Sequence, residues 1–378
     1  MKKILLILIL LFSFILPVFA DEEFNMETIL PSETGRIISV ETFGDYSPST
    51  ENELQQIKQS AEVEILTGIH QGEKIFIENI LMGNPFYDIY LNPNDMVILH
   101  AEKIENGINY FIADKYRVHV LYILSVIFFL LVIIVGKKKG FFSLISILIT
   151  LSLIFWGLTP LILKGVNPVL ATVMLCVLSS IITIYLVGGL NSKSSAAILG
   201  TVLSLIIAGI LSILSIDYAS LTGFTSEESL FLFSAHPELN FHGVLASAMI
   251  IGALGAVMDI GMSISSTINE IYISNPDLGF RKLCNSGMNV GKDIIGTMAN
   301  TLILAYLGSA LSLLLLSNNI DLQKFFNLNL VATEIISALI GSIGIVLCVP
   351  ITAVIAAGLI KRLPPKRVEE NDFDGIIS

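Results

Sequence analysis

Three carboxylates and one amide interrupt two otherwise apolar segments between His242 and Leu316. They are Asp259, Glu270, Asp293 and Asn300. A carboxylate at membrane depth costs about 3 kcal/mol or more, so it normally faces protein or a water-filled path and marks a function. We therefore expect the chemistry of this chain to lie in these two segments.

The first of the two segments carries its polar residues at helical spacing. Ser263, Ser266 and Glu270 lie 4, 7 and 11 residues beyond Asp259. At 3.6 residues per turn, such offsets place all four on one stripe of a helix. The flanking residues from 243 to 263 are mostly Gly, Ala and Ser, which let helix backbones approach closely in lipid, and Ala248, Gly252 and Ala256 follow a small-xxx-small spacing. The segment is therefore predicted to be central in a bundle.

The second segment repeats this arrangement. Lys292 and Asp293 open it, and Thr297 and Asn300 lie 4 and 7 residues beyond Asp293. Consecutive membrane segments run antiparallel, so the two stripes are predicted to meet near the cytoplasmic side. That would gather two or three carboxylates, with hydroxyl and amide groups, around one polar pocket.

Such a pocket admits several functions. A carboxylate in a low-dielectric site beside a second carboxylate can load and release a proton, as proton-coupled carriers require. Carboxylate, hydroxyl and amide oxygens are also ligands for hard cations. In a purely structural alternative, Asp259 pairs with Lys292 or a backbone group and holds two helices together. An intramembrane hydrolase would require Asp259 and Asp293 on either side of one water molecule.

A second group of polar residues lies just before the segment that carries Asp259 and at its first residue. His236, Glu238 and His242 could ligate zinc or another transition metal, but residues of these types so close together are more often ordinary interfacial residues. The chain contains no nucleophile elbow, phosphate loop, HExxH or CxxC motif. We therefore predict neither an enzyme nor a cofactor.

The composition assigns the chain to the polytopic membrane proteins. Of its 378 residues, 54% are apolar and 14% charged, and the mean hydropathy is +0.80. Residues 1–20 combine Lys2-Lys3, an apolar run and Ala20, which is typical of a cleaved secretory signal, with an uncleaved anchor as the alternative. Either reading places the following segment outside the cytoplasm.

The acidic residues are concentrated in that exported segment. Residues 21–117 hold 18 Asp and Glu against 6 Lys and Arg, whereas the whole chain has a net charge of -11. This balance argues against a nucleic-acid partner. All three cysteines lie outside the segment, so no disulfide framework is predicted there.

A small all-β module is predicted within the exported segment. Residues 21–60 read as an acidic, partly flexible leader, and residues 61–117 as a barrel-like module of about five strands. Short β-branched or aromatic runs separated by turn residues support it. The runs are Ala61–Leu66, Lys74–Ile80, Met96–Ala101 and Ile108–Ile112, with Gly35–Val40 as a further candidate strand.

Residues 118–363 are predicted to form a bundle of seven transmembrane helices, each near the roughly 20 residues that a bilayer requires. The segments are 118–135, 142–163, 168–187, 195–215, 242–265, 292–316 and 330–358. Eleven Lys and Arg residues fall on one side and two on the other, so the positive-inside rule places the N-terminal domain outside and the tail, residues 364–378, in the cytoplasm. These features predict a multi-pass plasma-membrane protein.

The sequence resembles the YibE/F family of bacterial multi-pass membrane proteins. The resemblance rests on the run from Ile250 to Ile264 around Asp259, on Asn269-Glu270, and on the run from Gly291 to Leu302. It also covers Leu66-Thr67-Gly68 and Asp114–Arg117 in the exported module. The resemblance implies the fold and the membrane location rather than a reaction.

From these features we predict a permease-like protein that moves a small solute or ion, with Asp259 and Asp293 as its polar gate, assisted by Asn300, Ser263, Thr297 and Glu270. The alternative is an interaction or assembly protein whose β module binds a partner while the helices anchor it. The bilayer is the one partner that composition requires. The small-residue faces are compatible with a homo-oligomer.

Overall fold

The computed structural model describes residues 32–43, 57–68, 70–84, 87–104 and 107–364. The predicted signal segment, much of the acidic leader and the tail beyond residue 364 lie outside the described residues. The chain divides into two compact units that meet in sequence at Leu131 and Val132. The first unit contains a β-sheet, and the second consists of helices.

Five strands form one antiparallel sheet. They are β1 Glu33–Phe43, β2 Ile57–Ile65, β3 Lys74–Leu81, β4 Met96–Ile104 and β5 Gly107–Lys115. Their order across the sheet is β3-β2-β1-β4-β5. Close contacts between the edge strands β3 and β5 make the sheet nearly closed and barrel-like. The prediction of an all-β module is confirmed, and Gly35–Val40 lies in its first strand, within the stretch assigned to the leader.

Alternation of side chains explains which residues of the strands fill the core of the module. Successive side chains of a strand point to opposite faces, so every second residue can enter the core. In β2 the buried positions alternate strictly with more exposed ones. Ile37, Val63, Val97 and Leu99 are completely buried and form the centre of the module.

Helices make up the remainder of the described chain. They are α1 Val118–Ser152, a π-helix Leu153–Leu158, α2 Thr159–Leu163, α3 Pro168–Gly188, α4 Ser192–Tyr218, α5 Glu227–Ala235, α6 Phe241–Ser274, α7 Phe280–Ser309, α8 Leu311–Leu316, α9 Leu322–Phe326 and α10 Asn329–Arg362, with a 3-10 turn at Ser317–Asn319. The fifth and seventh predicted segments correspond to α6 and α10. The sixth, 292–316, was wrong in its bounds: it covers the second half of α7, which begins at Phe280, and continues past a break at Ala310 into α8.

Five stretches of the described chain are long and apolar enough to cross a membrane. They are Val118–Leu163, Pro168–Gly188, Ser192–Tyr218, Phe241–Ser274 and Asn329–Arg362. The prediction of a helical domain with several candidate membrane spans is thus confirmed. The predicted number of seven is not confirmed, since the described residues contain five candidates. Two features account for the difference. The helix α7 is too polar to count as a candidate span, and the first stretch, 46 residues long, is one candidate where two segments, 118–135 and 142–163, were predicted.

That first stretch is not one straight helix. Lys137 has φ 47° and ψ −130°, outside the helical region, and it interrupts α1. Beyond it, Gly140 is buried against the backbone carbonyl of Val132. In a straight helix these two residues, eight positions apart, would be about 12 Å from each other and could not be in contact. The chain therefore bends sharply at Lys137. The bend falls in the basic run Lys137-Lys138-Lys139.

The helix α6 is the centre of the bundle, as its small residues predicted. It packs against α3, α4, α7 and α10. Small residues permit this crowding: a Cβ at Gly261 would lie 2.8 Å from the Thr201 hydroxyl oxygen and 3.1 Å from the Ala197 carbonyl oxygen of α4. The main core cluster combines residues of α6 with those of α10, including Val257, Ile260 and Val349, all fully buried.

Candidate functional site

Asp259 lies near the middle of α6, with about five helical turns before it and about four after it. Its side chain is exposed on the surface of the single chain, and so are Ser263 and Glu270 on the same stripe. Ser266 is half-buried. The opposite side of the helix packs into the core. The structure therefore confirms the helix but places the predicted stripe on its outward side.

The helix α7 runs antiparallel to α6 at the same depth. A Cβ at Gly252 would lie 2.5 Å from the Tyr306 hydroxyl oxygen, and a Cβ at Gly287 would lie 2.5 Å from Ile268 Cδ1. Between these two contacts, residues 287–306 span about 29 Å, which matches the hydrocarbon core of a bilayer. Asp259 therefore lies at about the level of Thr297 to Asn300.

The polar residues of α7 also face outward. Asp293, Thr297 and Asn300 are exposed, as is Lys292, whereas the buried residues of the helix, such as Gly291, lie on its other side. We call nine of the exposed residues of the two helices the polar face: Gly255, Asp259, Ser263 and Glu270 of α6 and Lys292, Asp293, Gly296, Thr297 and Asn300 of α7. The exposed apolar residues of α7, such as Ile303 and Leu304, are not part of it.

Within the part of the chain that the structure describes, no side-chain hydrogen bond or ion pair joins the α6 and α7 members of the polar face. Thr297 donates a hydrogen bond from Oγ1 to the carbonyl oxygen of Ile294 in its own helix, 3.0 Å away. The structural alternative of an Asp259–Lys292 ion pair is not formed among the described residues. A closed pocket between the two helices remains a prediction.

The polar face differs from the exposed sides of the other long helices. On α4 the exposed residues include Leu203 and Ile210, and on α10 they include Leu339, Ile343 and Val346. Such large aliphatic side chains are what lipid tails favour. The polar face instead presents glycine, hydroxyl, amide and charged groups at comparable depth.

The predicted metal candidates come only partly together. His236 Nδ1 lies 3.2 Å from Glu238 Oε1, and both groups are outside the long helices. His242 does not complete a set of three: among the residues that the structure describes, no three His, Cys, Asp or Glu side chains are arranged to hold a metal ion.

The sequence reasoning missed a carboxylate in the last long helix. Glu334 is half-buried near the start of α10 and, with Tyr306 of α7, lines an otherwise apolar cavity of about 210 Å³ that also contacts Leu314, Phe325 and Leu339. An acidic residue inside the seventh predicted apolar segment, 330–358, could have revealed it in the sequence. Tyr306 lies between this cavity and Gly252 at one end of the polar face.

The β module carries a polar cavity of about 500 Å³. Tyr87, Tyr90, Asp88, Asp114 and Arg117 are among the residues that line it. Arg117 donates to Asp114 Oδ2 at 2.6 Å, and this hydrogen bond lowers the pKa of the Asp114 carboxyl. Both tyrosine side chains are exposed, so aromatic surface and charged groups are available together.

Comparison with known families assigns both parts of the chain. Residues 124–362 match the model described as YibE/F-like protein, and residues 31–115 match the model of the YibE/F family N-terminal domain. No curated protein and no solved structure matches the chain.

Proposed function

This chain belongs to the YibE/F family, and we propose that it is a permease-like protein that moves a small solute or ion across the bacterial plasma membrane along its polar face. Asp259 and Asp293 are the exchanging carboxylates in this proposal. Asn300, Ser263 and Thr297 supply neutral oxygen or nitrogen groups along the path, and Glu270 lies at its cytoplasmic end.

One observation carries the proposal: Asp259 is a carboxylate in the middle of a membrane-spanning helix, without a cationic partner among the described residues. An isolated carboxylate at the centre of a bilayer costs about 3 kcal/mol on insertion scales. Binding a proton or a small cation removes that cost. The site can therefore exchange such an ion with water at either end of the path.

The proposed topology has seven crossings. Val118–Gly136 and the stretch from Lys138 to Leu163 count as two because the chain bends at Lys137 and 46 residues exceed one bilayer thickness about twofold. The helix α7 counts as the sixth because it lies against α6 and α10 over about 29 Å. The distribution of Lys and Arg then places the β module outside and the C-terminus in the cytoplasm.

The proposal is tested by removing single charges from the face. Purified protein in liposomes that contain a pH-sensitive dye is given a potassium-diffusion potential, and proton or cation flux is followed over a panel of ions and small solutes. We expect Asp259→Asn to reduce the flux at least tenfold and Asp293→Asn to reduce it severalfold. The same variants should fail to complement a deletion strain.

Asp277→Asn is the matched control. Asp277 is an exposed carboxylate in the loop between α6 and α7, so the same loss of charge occurs outside the membrane-spanning part. Its flux and complementation should stay within twofold of the wild type. Full activity of both Asp259→Asn and Asp293→Asn would end the proposal.

The polar cavity of the β module favours a second candidate, in which this module binds a partner outside the cell. A cavity of about 500 Å³ is within the usual range of ligand sites, and exposed tyrosines beside fixed charges are common in recognition surfaces. In this alternative the helices serve as an anchor.

Two variants separate the candidates. A carrier should retain most of its flux when residues 32–115 are deleted, whereas an interaction protein should lose all complementation. Tyr90→Ala is the milder test, because Tyr90 is 48% exposed and its truncation leaves the core of the module intact. Loss of complementation with unchanged flux would favour the second candidate.

A further inference from the structure

Two positions of the polar face are occupied by glycine although no neighbour within the single chain would prevent a larger side chain there. Gly255 of α6 and Gly296 of α7 have ordinary helical backbones, and a Cβ added at either would meet nothing within 4 Å. By contrast, Gly261 and Gly291 fit against neighbouring helices. Glycine inside a helix is unfavourable relative to alanine, so these two positions favour close approach by something outside the chain.

The small-residue spacing noted in the sequence points the same way. Ala248 is exposed, and the stripe continues through Gly255 towards Asp259. Gly252, between them, is also exposed but already has Tyr306 as a close neighbour within the chain. In lipid, helices with small residues on one side pack closely against another helix. Lipid tails, in contrast, offer no partner to the carboxylates and amides beside those residues.

We propose that a second copy of this chain covers the polar face, with the two copies related by a two-fold axis along the membrane normal. Copies inserted in the same orientation bring residues of equal depth together across such an axis. Lys292 and Asp293 are consecutive and both exposed, so Lys292 of one copy meets Asp293 of the partner subunit twice by symmetry. The face is thus complementary to itself in charge.

The first part of α1 has an exposed surface of the opposite kind, without groups that could pair with the charges of the polar face. Val118–Gly136 contains no Asp, Glu, Lys or Arg, and apart from His119 at its start its exposed residues are large aliphatic residues or Phe. That stretch suits lipid, whereas the polar face requires charged and hydrogen-bonding partners. The second copy supplies both signs of charge at the correct depth. If the proposed function holds, the ion path runs between the two copies, and the partner's Asp259 contributes to it.

Site-specific disulfide formation tests the interface in the full chain. Gly255→Cys, Gly296→Cys and Asn300→Cys are each introduced into a background that carries Cys176→Ala, Cys284→Ser and Cys348→Ala, and each is oxidised in native membranes. Leu339→Cys and Ile210→Cys, on the apolar exposed sides of α10 and α4, are the controls. We expect covalent dimers from at least one face position at five times the control level. Equal yields from face and control positions would overturn the proposal.

A second measurement avoids the cysteine background. The fraction of dimer is counted by single-molecule photobleaching in vesicles as the protein-to-lipid ratio is varied. Gly255→Leu and Lys292→Asp should each weaken association about tenfold, and Lys292→Asp combined with Asp293→Lys should restore it to within twofold. Val346→Leu on the apolar side of α10 should have no effect.

The outcomes separate this inference from the proposed function. A dimer that forms through the polar face, together with an Asp259→Asn variant that still transports, would leave the interface standing and remove the permease. Monomers at every protein-to-lipid ratio, or dimers insensitive to Gly255→Leu and Lys292→Asp, would overturn the interface whatever the flux shows.

Discussion

The crossing of α4 and α10 gives the most direct test of the packing. A Cβ on Gly200 would lie 2.9 Å from Thr352 Cβ and 3.1 Å from Thr352 Cα, and closer still to its hydroxyl. Carbon atoms prefer about 3.5–4.0 Å. The hydroxyl can rotate, but the Cα belongs to the backbone of α10, so the two helices would have to separate by about 0.5 Å.

We expect Gly200→Ala to lower the free energy of unfolding by about 2 kcal/mol. Overpacking costs about 1–3 kcal/mol, and the better helix propensity of alanine returns up to about 1 kcal/mol. For a domain of this size the change corresponds to a fall in Tm of about 4–8 °C. The assay is unfolding in mixed micelles with increasing denaturing detergent, followed by helical circular dichroism.

The matched control is Gly308→Ala, in the last turn of α7, where an added Cβ meets open space. It should be neutral or slightly stabilising. If Gly200→Ala and Gly308→Ala differed by less than about 0.5 kcal/mol, the close crossing inferred here would be wrong.

Three further predictions concern hydrogen bonds. Burial alone would raise the pKa of the Asp95 carboxyl, but hydrogen bonds from Lys115 and the Asn92 backbone outweigh it and lower the pKa. A carboxyl whose pKa is lower in the folded than in the unfolded state stabilises the fold at pH values above the unfolded pKa. Asp95→Asn should therefore lower the free energy of unfolding of the β module by about 1 kcal/mol at pH 7. The difference between variant and wild type should disappear below about pH 4, as hydrogen exchange of β4 would show. Gln59→Leu removes the side chain that bonds both the N–H and the C=O of buried Leu91, and should cost about 2–3 kcal/mol in denaturant unfolding of the same module. Asn167→Ala removes the N-cap of α3 and should cost the helical domain about 1 kcal/mol in the mixed-micelle assay; no change would contradict the capping geometry.

Sequence alone determined the kind of elements in this protein. Alternating runs indicated the strands, because the two-residue period of a strand is visible in the chain. Apolar runs indicated most of the long helices, because a bilayer requires about 20 such residues. The same runs made Asp259 and Asp293 conspicuous, and the family resemblance drawn from those motifs is confirmed over residues 31–362.

Only the tertiary structure decided which side of each helix faces outward. Both the interior of a membrane bundle and its lipid-facing surface are apolar, so hydropathy cannot separate them. The open surroundings of Gly255, the contact of Gly252 with Tyr306 and the cavity beside Glu334 all depend on how helices distant in sequence pack together. The polar groups belong to the sequence, but their exposure is a property of the packed bundle.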